Sequence, residues 1–337
     1  MQAIRLKQPG GLEHIYAEQT NAPETLGPND VQVRIHAGSL NYHDYLVAAG
    51  ALPTDDGRIL LSDGAGVVEA VGAEVSDLAV GDHVVSCFYP QWESGPVVAS
   101  AGGFARTPGD GVDGMAAEVV VRNQSAFTLA PEGWSHAESA TITTAGVTAW
   151  RALVAEGGLK AGDTVVTLGT GGVSMAALQL AKAMGASVIV TSSSDEKLAK
   201  AKALGADATI NYRATPEWGK AVMELTEGLG ANHIVELGGP GTLAQSIEAV
   251  AVGGQIALIG VLTGFDGPVP TAQLMFKNAR LQGLLVGSRA NQRDYVKALE
   301  QNGIRPVIDR TFRYGELAEA FEYQLAGSHM GKICVEW

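Results

Sequence analysis

The chain has 337 residues, a formal net charge of -13, 43 glycines and two cysteines. The length suggests about two domains, and 36 Asp+Glu against 23 Lys+Arg argues against nucleic acid or an anionic membrane as partner. Cys87 and Cys334 are too few for a disulfide framework or a cysteine-built zinc site, no apolar run approaches the ~18 residues of a membrane span, and the first residues lack the apolar core of a secretory signal, so a soluble cytoplasmic protein is expected.

The first part of the chain reads as β-rich. Val31 to Ala37 alternates apolar and polar residues, the period of a strand with one buried face. Gly64 to Gly72 and Gly81 to Val85 are short β-branched runs bounded by glycine. Phe88 to Gly114 has little periodicity and reads as a surface lobe or long loop, with Phe88 and Trp92 able to line a substrate mouth, cover the lobe's own core or meet another subunit.

From about Ala137 the pattern changes to alternating strands and helices. Strands are predicted at Asp163 to Leu168, Ser187 to Thr191, Asn232 to Glu236 and Gln255 to Ile259, and helices at Val173 to Met184, Glu196 to Leu204 and Gln292 to Glu300. Two more strand-like runs close the chain. Repeated βα units imply an α/β fold with a parallel sheet covered on both faces.

Gly169-Thr170-Gly171-Gly172-Val173-Ser174 follows one strand and opens a helix. In that context the first glycine permits a tight turn and the second lets backbone approach a pyrophosphate. The free N–H groups of the helix N-terminus then meet the anion. Ser174 stands at the third glycine position, small enough for helix–strand packing, with a hydroxyl that could reach phosphate. An ordinary βα turn is the plain alternative. Dinucleotide folds for NAD place an acid at the end of the next strand to hold the ribose 2′-OH. Here that strand runs into Thr191-Ser192-Ser193-Ser194, with Lys197 beyond it. Hydroxyls and a lysine favour a 2′-phosphate, hence NADP(H) over NAD(H). Ser194 and Asp195 also suit a helix cap.

These residues resemble the zinc-free members of the medium-chain dehydrogenase/reductase superfamily, close to quinone oxidoreductases. The resemblance runs through Ser39 to Asp44, Gly64 to Gly72, Gly81 to Val84, Ala145 to Trp150, the phosphate loop, Lys197 to Gly205, Gly254 to Gly260 and Gly331-Lys332-Ile333. It implies a GroES-like catalytic domain (1–145 and 290–337), an inserted Rossmann domain (146–289), and a homodimer or homotetramer. Zinc-using relatives hold the catalytic metal at positions matching Asn41, Ser62 and Thr144, none a good zinc ligand at neutral pH. The corresponding structural-zinc lobe, Phe88 to Gly114, contains one sulfur-free stretch with no cysteine. No zinc is expected.

Zinc polarises a carbonyl and supplies several kcal/mol of charge stabilisation. Without it, an acceptor that spreads negative charge itself, such as a quinone or enone, is the more tractable substrate, the cofactor supplying hydride. The expected catalytic residues are Asn41 as donor to the substrate oxygen, Tyr42 or Tyr45 as phenolic donor or wall, and Asp44, which otherwise ties the loop together. His43 stands where the family usually has arginine, threonine or isoleucine, and could reach cofactor phosphate, relay a proton or be a bystander. The resemblance places Thr148 against the nicotinamide. Gly238, Gly260 and Val261 are expected to complete the cofactor groove. Gly287, Ser288 and Arg289 would lie beside the cofactor, with Lys197 and Tyr212 at its adenosine end. The alternatives are an alcohol dehydrogenase with a metal recruited through His43 and Asp44, and a non-catalytic NADPH-binding or redox-sensing protein.

Overall fold

The computed structural model describes residues 1–22 and 25–337. The chain divides into two compact units, Met1–Val147 with Val286–Trp337, and Thr148–Leu285.

In the first unit the strand Asp30–Ser39 is the organiser. It pairs antiparallel with Asp63–Val71, Val119–Asn123 and Lys332–Glu336. Its alternation buries Val31, Val33 and Ile35 on one face, as the period-two pattern demands. Those residues join Leu6, Leu60, Leu61, Met115, Phe127 and Phe321 in one apolar core. The register sets Ser39 opposite Asp63 on one side and opposite Cys334 on the other. Three strand ends thus meet where the helix Tyr42–Ala48 begins. Both cysteines are free and buried, and burial pushes each thiol up to about 12.

The Phe88–Gly114 stretch is irregular apart from one short turn, Ala99–Gly103. It is nonetheless well packed. Trp92 is 2% exposed, and its indole N–H donates to Gly95 O at 3.1 Å within the lobe. The backbone carbonyls of Trp92 and Glu93 accept from the N–H groups of Arg289 and Ala290, tying the lobe to the start of the helix Arg289–Asn302.

The second unit holds a six-stranded sheet in the order Ala208–Asn211, Ser187–Ser192, Thr164–Leu168, Ala231–Glu236, Val250–Leu258, Arg280–Gly283. All pairings are parallel. The order reverses beside Thr164–Leu168, and such a reversal opens a crevice at the carboxyl ends of the strands. The sequence Thr-Val-Val-Thr-Leu suits a central strand, since β-branched residues pack well when both faces are covered. The helix Gly172–Ala183 follows at once, built of alanine, leucine and methionine with Gly185 in the left-handed region (φ 81°) just beyond its end.

Candidate functional site

Where the three strand ends meet in the first unit, polar groups are buried in a connected array. Asp63 is fully buried and accepts from Ser39 Oγ at 2.6 Å, Thr144 Oγ1 at 2.6 Å and Ser62 Oγ at 3.2 Å. The Lys332 ammonium lies 3.4 Å from Asp63 Oδ2 and donates at 2.6 Å to both Leu40 O and Asn41 Oδ1. Asn41 caps the helix Tyr42–Ala48, and its Nδ2 donates to Asp44 Oδ2 at 3.0 Å and to Ser62 Oγ at 3.4 Å. Asp44 also accepts from the backbone N–H of Asn41 and of Ser62, both at 2.9 Å. Burial, and then the Asp63 charge, hold the Asp44 carboxyl above the usual carboxylate range. Ser86 Oγ extends the array by donating to Ser62 O and accepting from Gly64 N, each at 2.9 Å.

The array brings Asn41, Asp44, Ser62 and Thr144 together and corrects two expectations. Both Asn41 amide protons and its oxygen already have protein partners, so it is a bridge more than a free donor. Asp44 is likewise saturated by three N–H donors, which makes it a loop tie and not a reacting group. Tyr45 packs on the core beside Phe321, their ring centroids 6.4 Å apart, so it is a structural wall, while Tyr42 is exposed. His43 turns toward the lobe, its Nε2 3.1 Å from Asp110 Oδ2 and its ring against Phe88 and Phe104.

The donor set does not fit zinc. An amide and two hydroxyls are poor ligands at neutral pH, and the Lys332 ammonium already stands on the amide oxygen, so a dication would sit against a buried like charge. Among the described residues no three His, Cys, Asp or Glu side chains are grouped to hold a metal ion.

A dinucleotide phosphate fits the second unit better. Gly171 caps the helix Gly172–Ala183 with no side-chain bond to the free N–H groups. Gly169 takes φ 75°, and a Cβ built on Gly169 or Gly171 would meet no atom within 4 Å, so the space before the helix is open for an anion. Thr170 is buried at the turn, and Gly172 and Val173 form the first turn of the helix. Ser174, however, is fully buried and donates to Leu168 O at 2.7 Å. Its hydroxyl locks helix to strand and does not reach toward phosphate.

Ser192 ends its strand opposite Asn211, its carbonyl accepts from Tyr212 N, and its Oγ accepts from Ser194 N at 3.3 Å. Ser193, Lys197 and Tyr212 therefore gather at one strand end, with Ser194 capping the following helix through Lys197 N. Gly239 packs 3.1 Å, as a built Cβ, from Gly260 O and Val261 Cα, which joins the Gly238 and Gly260 loops.

A residue the sequence reading passed over holds that junction. Glu236 is fully buried at its strand end and accepts from Gly238 N at 2.8 Å, Gly239 N at 3.0 Å, Thr242 Oγ1 at 2.6 Å and Ser246 Oγ. Asp110 was passed over too, and Lys332 entered only as part of the Gly331-Lys332-Ile333 motif. A lysine preceding the apolar run Ile333-Cys334-Val335 was the one legible signal of these.

Thr148 is buried at the start of the second unit. Gly287 and Ser288 belong to the first unit, where Ser288 caps the helix Arg289–Asn302 by accepting from Asn291 N at 3.2 Å. Arg289 is 5% exposed, and its guanidinium donates to Phe127 O, Gln124 O, Asp77 and Glu93. With those four partners it is a lobe anchor, and the expected pairing with cofactor phosphate is corrected.

Residues 27–132 match the alcohol dehydrogenase GroES-like domain and residues 172–301 the zinc-binding dehydrogenase domain. A zinc-type alcohol dehydrogenase-like protein of Schizosaccharomyces pombe is 40% identical over 97% of this chain and 96% of its own length. The crystal structure of an NAD-dependent alcohol dehydrogenase superposes with a TM-score of 0.90 at 33% identity, covering all of both chains. The quinone oxidoreductase of Pseudomonas syringae pv. Tomato DC3000 gives 0.82 at 28% identity, covering 100% of this chain and 99% of that one. GroES-like and Rossmann domains, an open phosphate loop and this similarity across nearly the whole length together show that the chain belongs to the medium-chain dehydrogenase/reductase family of NAD(P)-dependent oxidoreductases.

Proposed function

We propose that the protein reduces quinones, enones or similar activated carbonyls with NADPH and without zinc. The observation that carries this reading is the Lys332 ammonium on Asn41 Oδ1, within a set of amide and hydroxyl groups that are poor zinc ligands. The hydroxyls are committed to Asp63, so the array offers a buried ammonium and no strong electrophile, and a conjugated acceptor asks for less electrophilic help than a simple ketone. NADPH supplies the hydride when bound. The chain's own residues hold the pyrophosphate at Gly169–Val173 and meet the 2′-phosphate with Ser192, Ser193 and Lys197.

We take the preference for NADPH from the absence of an acid at Ser192 and Ser193. Cytoplasmic location is part of the same reading. Among the described residues no helix is long and apolar enough to cross a membrane. A homodimer is supported by Met275 and Phe276, exposed at the end of the helix Thr271–Phe276 that precedes the sheet-edge strand Arg280–Gly283. The test is NADPH consumption against a panel of quinones, enals and simple ketones, with the metal content of the same preparation measured. Turnover of conjugated acceptors by metal-free protein supports the reading, whereas a flat response to every acceptor favours a cofactor-binding protein without catalysis.

A further inference from the structure

The Phe88–Gly114 lobe brings a carboxylate to a histidine at the edge of the buried array. His43 is the second residue of the helix that Asn41 caps, next to Asp44. Its Nε2 lies 3.1 Å from Asp110 Oδ2, and both side chains are largely buried, 16% and 11% exposed. Asp110 makes no other ion pair among the described residues. A carboxylate set against an imidazole nitrogen constrains the ring's orientation.

The carrier loop is itself held in place. Thr54 Oγ1 donates to Asp110 O at 2.7 Å, and Arg58 Nε donates to Thr54 Oγ1. Gly109 adopts φ 82° with its built Cβ 2.8 Å from the Leu61 backbone, one residue before Ser62. On the other side the His43 ring meets Phe88 edge-on at 5.4 Å and Phe104 at 4.7 Å between centroids. Phe88 follows Ser86 by two residues, and Ser86 Oγ is bonded to Ser62 O. Thus both walls of the histidine lead back to Ser62. Among the described residues Nε2 makes no hydrogen bond, so it faces the Asp110 carboxylate as a near neighbour only and the ring remains uncommitted.

From this geometry we infer that His43 is the proton donor to the reduced substrate and that Asp110 is its positioning residue. The inference deepens the conjugated-acceptor reading and rests on it. Hydride from NADPH adds to the β-carbon of an enone, and the electron pair moves onto the carbonyl as an enolate. The His43 N–H bond then breaks, its proton forms the new bond at the enolate, and the imidazole keeps the electron pair until water returns a proton. A quinone ends instead as a hydroquinone oxyanion, whose oxygen exchanges protons with water rapidly and needs no placed acid. The two acceptor classes therefore depend on His43 to different degrees.

The experiment measures kcat on a quinone and on an α,β-unsaturated ketone for wild type, His43→Gln and Asp110→Asn, with NADPH affinity followed by fluorescence titration. General acid catalysis contributes roughly 10²–10⁴-fold. His43→Gln is therefore expected to lower enone kcat about 10²-fold or more while quinone kcat falls less than about threefold and NADPH affinity holds. Asp110→Asn is expected to lose about tenfold on the enone alone, because the acid remains but is less well oriented. Added imidazole should restore enone turnover to His43→Ala. An equal fall on both acceptors, or no fall on either, overturns the role of His43, as does failure of imidazole to rescue a variant that still binds NADPH. Wild type inactive on both acceptors overturns the conjugated-acceptor reading and this inference together.

Discussion

Replacing Lys332 with methionine tests the buried array directly. The side chain is 6% exposed, and its ammonium serves Leu40 O, Asn41 Oδ1 and the fully buried Asp63 carboxylate. Breaking a buried pair from one side costs about 3–5 kcal/mol, because the remaining charge is left without its counterion. Asp63 keeps three hydroxyl donors, and its distance to Lys332 is 3.4 Å, so the lower end of that range, about 3 kcal/mol, is expected. That is on the order of a 10²-fold fall in the folding constant. Urea titration followed by amide exchange in the strand Asp30–Ser39 reads the loss locally, which matters because two units need not unfold in one step. The double variant Lys332→Met with Asp63→Asn removes both charges and should recover more than half of the loss. A single-variant loss below about 1 kcal/mol, the usual worth of an exposed pair, would refute the reasoning, and so would a double variant less stable than the single one.

Ser192→Asp places a carboxylate at the end of the second strand and should weaken NADPH binding about tenfold, ~1.4 kcal/mol, while NADH binding holds or tightens; equal loss of both in fluorescence titration would contradict the 2′-phosphate assignment. Arg289→Met strips four acceptors of a buried guanidinium and should cost about 2–3 kcal/mol of stability with NADPH affinity intact; the opposite pattern would return Arg289 to the cofactor. His36, His136 and His83 stack with centroids 4.5 and 5.0 Å apart, and burial, then the two neighbouring rings, lower His136 to about 4. The folded state thus disfavours the proton that the unfolded chain takes up near pH 6.5, so stability should fall as pH drops from 6.5 toward 4 and level off below. Urea unfolding of His136→Gln should show a shallower fall over that window, and an unchanged slope would argue against the stacked cluster as its source.

The dinucleotide fold was readable because its signals are local: a β-branched strand, a glycine turn and an alanine-rich helix occupy adjacent residues. Helix and strand positions agree with the structure to within a few residues for the same reason. The buried polar array was less readable, since its meaning depends on contacts between distant segments. Asn41 was identified as a polar residue at the right place, yet its saturation by Lys332, Asp44 and Ser62 needs three chain segments in register. Lys332 stands 291 positions from Asn41 in the sequence, beyond any periodicity argument. Arg289 was expected beside the cofactor on the resemblance alone, but its partners come from the lobe and from Gln124 and Phe127. Glu236 was hidden by its strand, where a terminal acid normally reads as a solvated end.

The central claim is that reduction proceeds without zinc, and its most direct measurement is turnover of one conjugated acceptor before and after exhaustive chelation, with zinc quantified in both samples. The expected result is unchanged kcat and less than stoichiometric metal throughout. Activity that disappears with the chelator and returns with one zinc per chain would contradict it.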